Sequence, residues 1–262
     1  MRGLVGAVLA MAASALFTWA VTRWVVVREW RRFNLRLEWR ESLSEWRVLL
    51  NFSLPTFVTM LMLGPVTWAC NAFLANQPNG YAELGVFNAA FQWQAAIQYL
   101  PTVICTAMIP VMSEKCGTGD VSSSLRIMKR MVRLIALVVF PVAVVLSAAS
   151  PWIMHGYGAT FAAGHWTMVL LVATGSLTGI MTPIGNFVTA QGAMWRGLSF
   201  CLGWVAAMLV GSWFMVRWGA EGLAGARLIA IVVHLILVYS FVRTFRSSPP
   251  GRGPVQVAGG IG

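Results

Sequence analysis

Several polar residues lie within long apolar runs, where a polar side chain needs a partner. Asn88, Gln92 and Tyr99 occur in the run at residues 84–113, and at 100° per residue they share a narrow arc with Ala95. Such a polar stripe either hydrogen-bonds a neighbouring helix or forms one wall of a water-filled translocation cavity. The sequence leaves both interpretations open.

A cation and an imidazole occur together near the C-terminus. Arg227 and His234 are seven residues apart in the run at residues 223–242, so a helix places them on one face. Ionisable residues at membrane depth often mark substrate or ion pathways. The alternatives are a neutral His234 that bonds a neighbouring helix and an Arg227 that snorkels to the interface. Further candidates on other runs are Trp68, Asn71, Asn186 and Gln191.

The composition identifies the class of protein. The chain has 262 residues, of which 58% are hydrophobic and only 10% charged, whereas soluble proteins contain roughly 25% charged residues. This balance predicts an integral membrane protein. The net charge of +11 is concentrated in short loops between apolar runs, so it indicates membrane orientation and not a nucleic-acid partner.

No residue constellation predicts a cofactor, a metal or an enzymatic centre. The four cysteines are far apart without a C-x-x-C pair, and they are interpreted as small buried hydrophobes. His155, His165 and His234 are likewise scattered. The phosphate-binding pattern G-x-x-x-x-G-K-S/T is also absent from the sequence.

Apolar runs predict an all-α membrane protein with about seven transmembrane helices. The predicted spans are residues 3–27, 49–75, 84–113, 134–153, 166–190, 198–216 and 223–242. A polar, basic connection is predicted at residues 114–133. The tail at residues 243–262, rich in proline and glycine, is predicted to be disordered.

The first span and the segment after it allow more than one interpretation. Residues 3–27 loosely fit a signal peptide, but its cleavage would export the arginines that follow, so a transmembrane helix is preferred. Residues 28–47 carry arginines at every fourth position beside an apolar stripe, which is typical of a helix in the membrane interface. The alternative is a solvated connector.

Lysine and arginine counts predict the orientation. On alternate sides of the seven spans the chain carries sixteen and three of these residues. Because cytoplasmic loops carry the excess, the N-terminus is predicted to lie outside and the C-terminus in the cytoplasm.

Four stretches together resemble one family. They are NFSLP at residues 51–55, GVFNAA at 85–90 followed by Pro101 and Pro110, PWIMHGYGATF at 151–161, and WGAEGLA at 218–224. In this order they resemble the bacterial oligosaccharide-lipid flippases, which export O-antigen and other polysaccharides and share a superfamily with multidrug exporters. The resemblance implies two six-helix lobes that face each other across a central cavity.

The resemblance covers only the C-terminal lobe and the helix before it. Residues 1–27 match that preceding helix, residues 28–47 the connector, and residues 48–242 the six-helix lobe. The chain is therefore expected to be the truncated half of a bacterial inner-membrane transporter. A missing N-terminal lobe or a second copy would supply the facing wall.

The resemblance also implies a substrate and a mechanism. The expected cargo is an oligosaccharide linked to a lipid diphosphate of the undecaprenyl type, flipped by alternating access of the two lobes, with membrane lipids as further partners. Since a diphosphate needs cationic partners inside a membrane, Arg227 and His234 are expected to hold phosphate or sugar. Asn88 and Gln92 would add hydrogen bonds from the opposite wall.

Two other functions remain open at this point. A multidrug exporter of the same superfamily is expected to use an acidic residue within the membrane, and no predicted span contains Asp or Glu. The missing lobe could hold such a residue. The other alternative is an inactive membrane fragment or scaffold.

Overall fold

The computed structural model describes residues 2–32, 46, 49–118 and 120–246, which divide into two units, Met1–Arg47 and Val48–Gly262. The described residues contain no strand. Their α-helices are α1 (Arg2–Arg32), α2 (Leu54–Ala75), α3 (Gly80–Gly117), α4 (Val121–Gly156), α5 (His165–Ala190), α6 (Met194–Met215) and α7 (Gly219–Arg246). The predicted all-α membrane fold is confirmed.

Six continuous helical segments of the described chain are long and apolar enough to cross a membrane. The last segment, Met194–Phe241, contains both α6 and α7, joined by the 3-10 turn Val216–Trp218. These two helices pack side by side, so the segment folds back on itself. The predicted number of seven spans is therefore approximate, and it corresponds to six segments of which one is a helical hairpin.

Helix α1 forms the first unit and continues past the predicted span at residues 3–27. It ends at Arg32. Within it Arg23 and Arg28 stack over the rings of Trp19 and Trp24, at 5.6 and 5.5 Å from the ring centroids. The predicted interfacial connector at residues 28–47 thus begins inside α1. Except for Trp46, its remainder after Arg32 lies outside the described residues.

In the second unit, α5 is the most buried helix and packs against α3, α4 and α7. Its contact with α3 depends on two glycines in a G-x-x-x-G spacing. A Cβ added to Gly175 would lie 2.6 Å from Ile97 Cγ2 and 3.0 Å from the Gln94 carbonyl oxygen, and one on Gly179 would lie 3.1 Å from Pro101 Cγ. These two glycines therefore allow the close packing of α3 against α5.

The prediction of a loop at the polar connection of residues 114–133 is wrong, because most of this segment is helical. Helix α3 continues to Gly117 and α4 already begins at Val121. At 1.5 Å per residue these helices of 38 and 36 residues are about 57 and 54 Å long, which exceeds the bilayer core of about 30 Å. Charged residues on the exposed surface of a helix were therefore mistaken for a loop.

Asp120 begins α4 as its N-cap residue. The Ser123 hydroxyl, the Ser123 N–H and the Ser122 hydroxyl all hydrogen-bond its carboxylate and lower its pKa to about 2. Such a cap satisfies a backbone donor that the first helical turn leaves free. The cap therefore defines the start of α4.

Helices α3 and α7 are linked at their N-terminal ends. The Ala220 N–H donates a 2.7 Å hydrogen bond to Oε2 of Glu83, 137 residues away in sequence. The contact requires glycine at position 219, whose φ of 66° favours glycine, and whose added Cβ would lie 2.5 Å from Glu83 Oε2. This geometry explains the glycine at position 219 of the WGAEGLA stretch.

Candidate functional site

A cavity of about 310 Å³ lies inside the second unit, between five of its helices. It is lined by Thr59 and Leu63 of α2, Gln94 and Gln98 of α3, Thr174 and Thr178 of α5, Cys201 and Trp204 of α6, and Arg227, Ile231 and His234 of α7. The cavity combines an apolar wall with a cation, an imidazole, two amides and three hydroxyls. Such a combination can orient a polar or anionic ligand.

Arg227 lies about 12 Å along α7 from the first residue of the helix. Its guanidinium carbon lies 4.8 Å from the centroid of the Phe91 ring, so the cation is partly stabilised by the aromatic face. Among the described residues no carboxylate forms an ion pair with it. A partly buried cation without a counter-ion is suited to bind an anion.

His234 both lines the cavity and bonds a neighbouring helix. Its Nδ1 lies 3.1 Å from the Phe200 carbonyl oxygen in α6, a distance that requires a proton on Nδ1. In the neutral imidazole Nε2 is then left as a hydrogen-bond acceptor. The Phe200 ring meets the imidazole edge-on, with the ring centroids 6.5 Å apart.

Gln94 supplies an unsatisfied polar atom in the cavity wall. Its side chain is only 4% exposed, and Oε1 has no hydrogen-bond partner among the described residues. A buried polar atom without a partner is costly, roughly 1–3 kcal/mol. A ligand that donates a hydrogen bond to Oε1 would recover that free energy.

Two threonines of α5 complete the polar wall. The hydroxyl of Thr174 donates to the Leu170 carbonyl oxygen and that of Thr178 to the Thr174 carbonyl oxygen, each at 2.8 Å. Because their protons are engaged in their own helix, both hydroxyl oxygens remain available as acceptors. They can therefore receive hydrogen bonds from hydroxyl groups of a ligand.

A second cavity, of about 370 Å³, adjoins the first and shares Thr59, Thr178, Ile231 and His234 with it. It continues along α7 to Val238, between the last turns of α5 at Gly185 and Thr189 and the first turns of α6 at Met194 and Gly197. The two cavities form a cleft that follows α7 from Arg227 to Val238. His234 lies where they meet.

The structure brings Arg227 and His234 together in one cleft but places the other predicted site residues elsewhere. Asn88 and Gln92 are exposed, and Tyr99 is 71% exposed. None of these three lines the cleft, and Asn71 of α2, which is partly buried, does not either. The exposed stripe of α3 and the cleft are therefore separate surfaces.

Sequence reasoning missed Gln94 and Gln98 as site residues. These residues are also four apart, so the sequence shows that they share a helix face, but the predicted stripe of Asn88, Gln92 and Tyr99 does not include them. Of the further candidates, Asn186 donates a 2.9 Å hydrogen bond to the Cys105 carbonyl oxygen. Trp68 is exposed and Gln191 partly buried.

Within the described part of the chain, no cluster of three His, Cys, Asp or Glu side chains could hold a metal ion. Cys70, Cys105 and Cys201 are buried free thiols, which confirms their interpretation as small buried residues. The side chain of Cys116 lies outside the described ones. The side chains that line the cleft can therefore bind a ligand through hydrogen bonds and through the positive charge of Arg227.

The fold and the cleft define a multi-pass helical membrane protein with a polar cavity inside a six-helix unit. Residues 3–163, more than half of the chain, match the model of the polysaccharide biosynthesis protein family. The chain therefore belongs to this family.

Two curated relatives carry the same name, EPS I polysaccharide export inner membrane protein EpsE. The protein from Ralstonia nicotianae is 26% identical over 191 residues, which cover 71% of this chain and 43% of the relative. The protein from Ralstonia solanacearum is 24% identical over 187 residues, which cover 69% of this chain and 42% of the relative. This chain therefore spans less than half the length of these relatives. No solved structure matches it significantly.

Proposed function

We propose that this chain forms one lobe of a transporter that moves lipid-diphosphate-linked oligosaccharide across the bacterial inner membrane. The family is one of polysaccharide biosynthesis proteins, and both EpsE relatives are named as inner-membrane export proteins. The observation that carries the proposal is Arg227, a cation that no carboxylate of the described residues pairs with, in a polar cleft between membrane-spanning helices.

A diphosphate is expensive to move through a membrane unless hydrogen-bond donors and positive charge replace its water. A guanidinium can bind two phosphate oxygens at once. Arg227 would hold the phosphate, while Gln94, Thr174 and Thr178 would accept hydrogen bonds from sugar hydroxyls. The isoprenoid tail would stay in lipid.

The complete transporter needs a second wall, because this chain spans 43% of the EpsE relative from Ralstonia nicotianae. A further lobe of a longer protein or a second copy of this chain would supply it. Polar side chains are costly against lipid, so the exposed stripe of Asn88, Gln92 and Tyr99 would face that wall. Alternating access would then rock the two lobes about the shared cavity.

The test is an Arg227→Ala substitution in the chromosomal gene of the producing bacterium. Loss of a buried cation that pairs with an anion costs about 3 kcal/mol, so surface polysaccharide should fall at least a hundredfold. Lipid-linked oligosaccharide should accumulate on the cytoplasmic side of the membrane. Arg227→Lys keeps the positive charge but not the planar guanidinium group, so it should lower surface polysaccharide roughly tenfold.

Arg217→Ala is the matched control. Arg217 also stacks on an aromatic ring, at 4.9 Å from the Trp218 centroid, but it is exposed and does not line the cleft. Its loss should leave export unchanged. If Arg227→Ala instead abolishes the lipid-linked oligosaccharide without accumulation, the protein acts in synthesis and the proposal is wrong.

A further inference from the structure

The first turns of α4 carry a basic stripe, which we define as Arg126, Lys129, Arg130 and Arg133. At 100° per residue these four side chains fall within an arc of about 100°, and all four are exposed. Helix α4 contains no Asp or Glu. Among the described residues no carboxylate forms an ion pair with any of the four, although Asp120 at the cap is close enough to Arg126 to interact with it electrostatically.

The basic stripe continues into an apolar stripe on the same face of α4. Leu137 and Phe140, one and two turns further along the helix, are 76% and 69% exposed, and helical geometry places both within the arc of the four cations. The opposite face, with Ile135 and Val139, is buried. In a membrane, the exposed apolar stripe is covered by acyl chains.

Measured from the edge of the apolar run of α4, three of the four cations also fall within the thickness of a headgroup layer. The apolar run of α4 begins at Leu134, so Arg133, Arg130 and Lys129 lie about 1.5, 6 and 7.5 Å beyond its edge. The headgroup layer is roughly 5–8 Å thick on each side of the bilayer. Arg126 is one turn further out, within reach of its long side chain.

We propose that the basic stripe of α4 is a binding site for anionic phospholipid. Lipid whose acyl chains lie along Leu137 and Phe140 presents its headgroup to Arg130 and Arg133. Guanidinium groups bind phosphate oxygens in a forked geometry, and an additional anionic headgroup charge increases the attraction of each cation. The site selects anionic over zwitterionic lipid in the leaflet that meets the start of α4. It is independent of the cleft and of the transported substrate.

Native mass spectrometry of the purified full chain tests the site, with phosphatidylglycerol and phosphatidylcholine of equal chain length supplied in equal amounts. The wild-type protein should retain phosphatidylglycerol preferentially. The variant Arg126→Gln/Lys129→Gln/Arg130→Gln/Arg133→Gln should lose that preference by at least tenfold, because each cation near an anionic surface contributes about fivefold. Retention of the preference would overturn the proposal.

The matched control removes four cations elsewhere, Arg23, Arg28, Arg196 and Arg217, which are also exposed. Both variants lower the net charge of +11 equally, and the control should keep the wild-type preference. An equal loss in both variants would show a general charge effect and overturn the site.

Should the glutamine variant fail to fold, Arg126→Lys/Arg130→Lys/Arg133→Lys keeps all four charges and should keep most of the preference. Its loss in a folded lysine variant would contradict the proposal.

Discussion

Helix α3 has two polar faces in different surroundings. Gln94 and Gln98 point into the cleft among α5, α6 and α7, and Gln94 is fully enclosed. Asn88, Gln92 and Tyr99 lie on another side of the same helix and are exposed. Two glutamines that are two residues apart therefore have opposite roles, since a helix turns about 200° between them. We expect the inner face to stabilise the second unit and to shape the cleft, and the outer face to contribute little to its stability.

The largest expected effect is on the inner contact between α3 and α5. Gly175→Leu should lower the free energy of unfolding by about 3 kcal/mol or more, because its side chain would collide with Ile97 and with the Gln94 backbone. Thermal unfolding in detergent, followed by circular dichroism, measures this loss. Gly85→Leu on α3, where an added Cβ meets nothing within 4 Å, is the control and should unfold near the wild-type temperature.

A pair of glutamine substitutions distinguishes the two faces directly. Gln94→Leu removes a buried oxygen without a partner, so the free energy of unfolding should rise by about 1 kcal/mol while polysaccharide export falls. Gln92→Leu, on the exposed face, should leave the unfolding temperature unchanged. Export and thermal unfolding are measured for both variants. A similar rise in unfolding temperature for Gln92→Leu would contradict the assignment of the two faces.

A smaller effect is expected from two asparagines. Asn186→Ala removes the hydrogen bond to the Cys105 carbonyl oxygen and should cost about 1 kcal/mol of stability. Asn88→Ala, on the exposed face, should cost nothing measurable in the isolated chain. Chemical denaturation in mixed micelles compares the two, and equal losses would show that the exposed face also packs within the second unit.

The sequence predicted the spans well because hydropathy records the burial of a segment in lipid. It failed at residues 114–133, where Arg126 and Arg130 lie on the exposed surface of a helix. The hydropathy averaged over a window of residues does not distinguish such a charged helix surface from a loop. Helix propensity and the Asp120 cap, followed by a polar first turn, were the signals that could have located the start of α4.

Part of the site was also predictable. The spacing of Arg227 and His234 placed them on one helix face, and the structure puts both on the cleft. Periodicity could not decide which polar face of α3 meets α7, because it gives the angle between residues but not the direction of the neighbouring helix. The close approach of α5 through Gly175 and Gly179 sets that direction, and it turns Gln94 inward.

The hydrogen bond from Ala220 to Glu83 has a mechanical consequence. It joins α3 and α7 at their first turns, about 17 Å along α3 from Gln94. The two helices that carry Gln94 and Arg227 are therefore held together at one end. Thermal motion should separate α3 and α7 least near Glu83 and more with distance from it. A ligand in the cleft would then have a preferred way in and out, set by one carboxylate that never touches it.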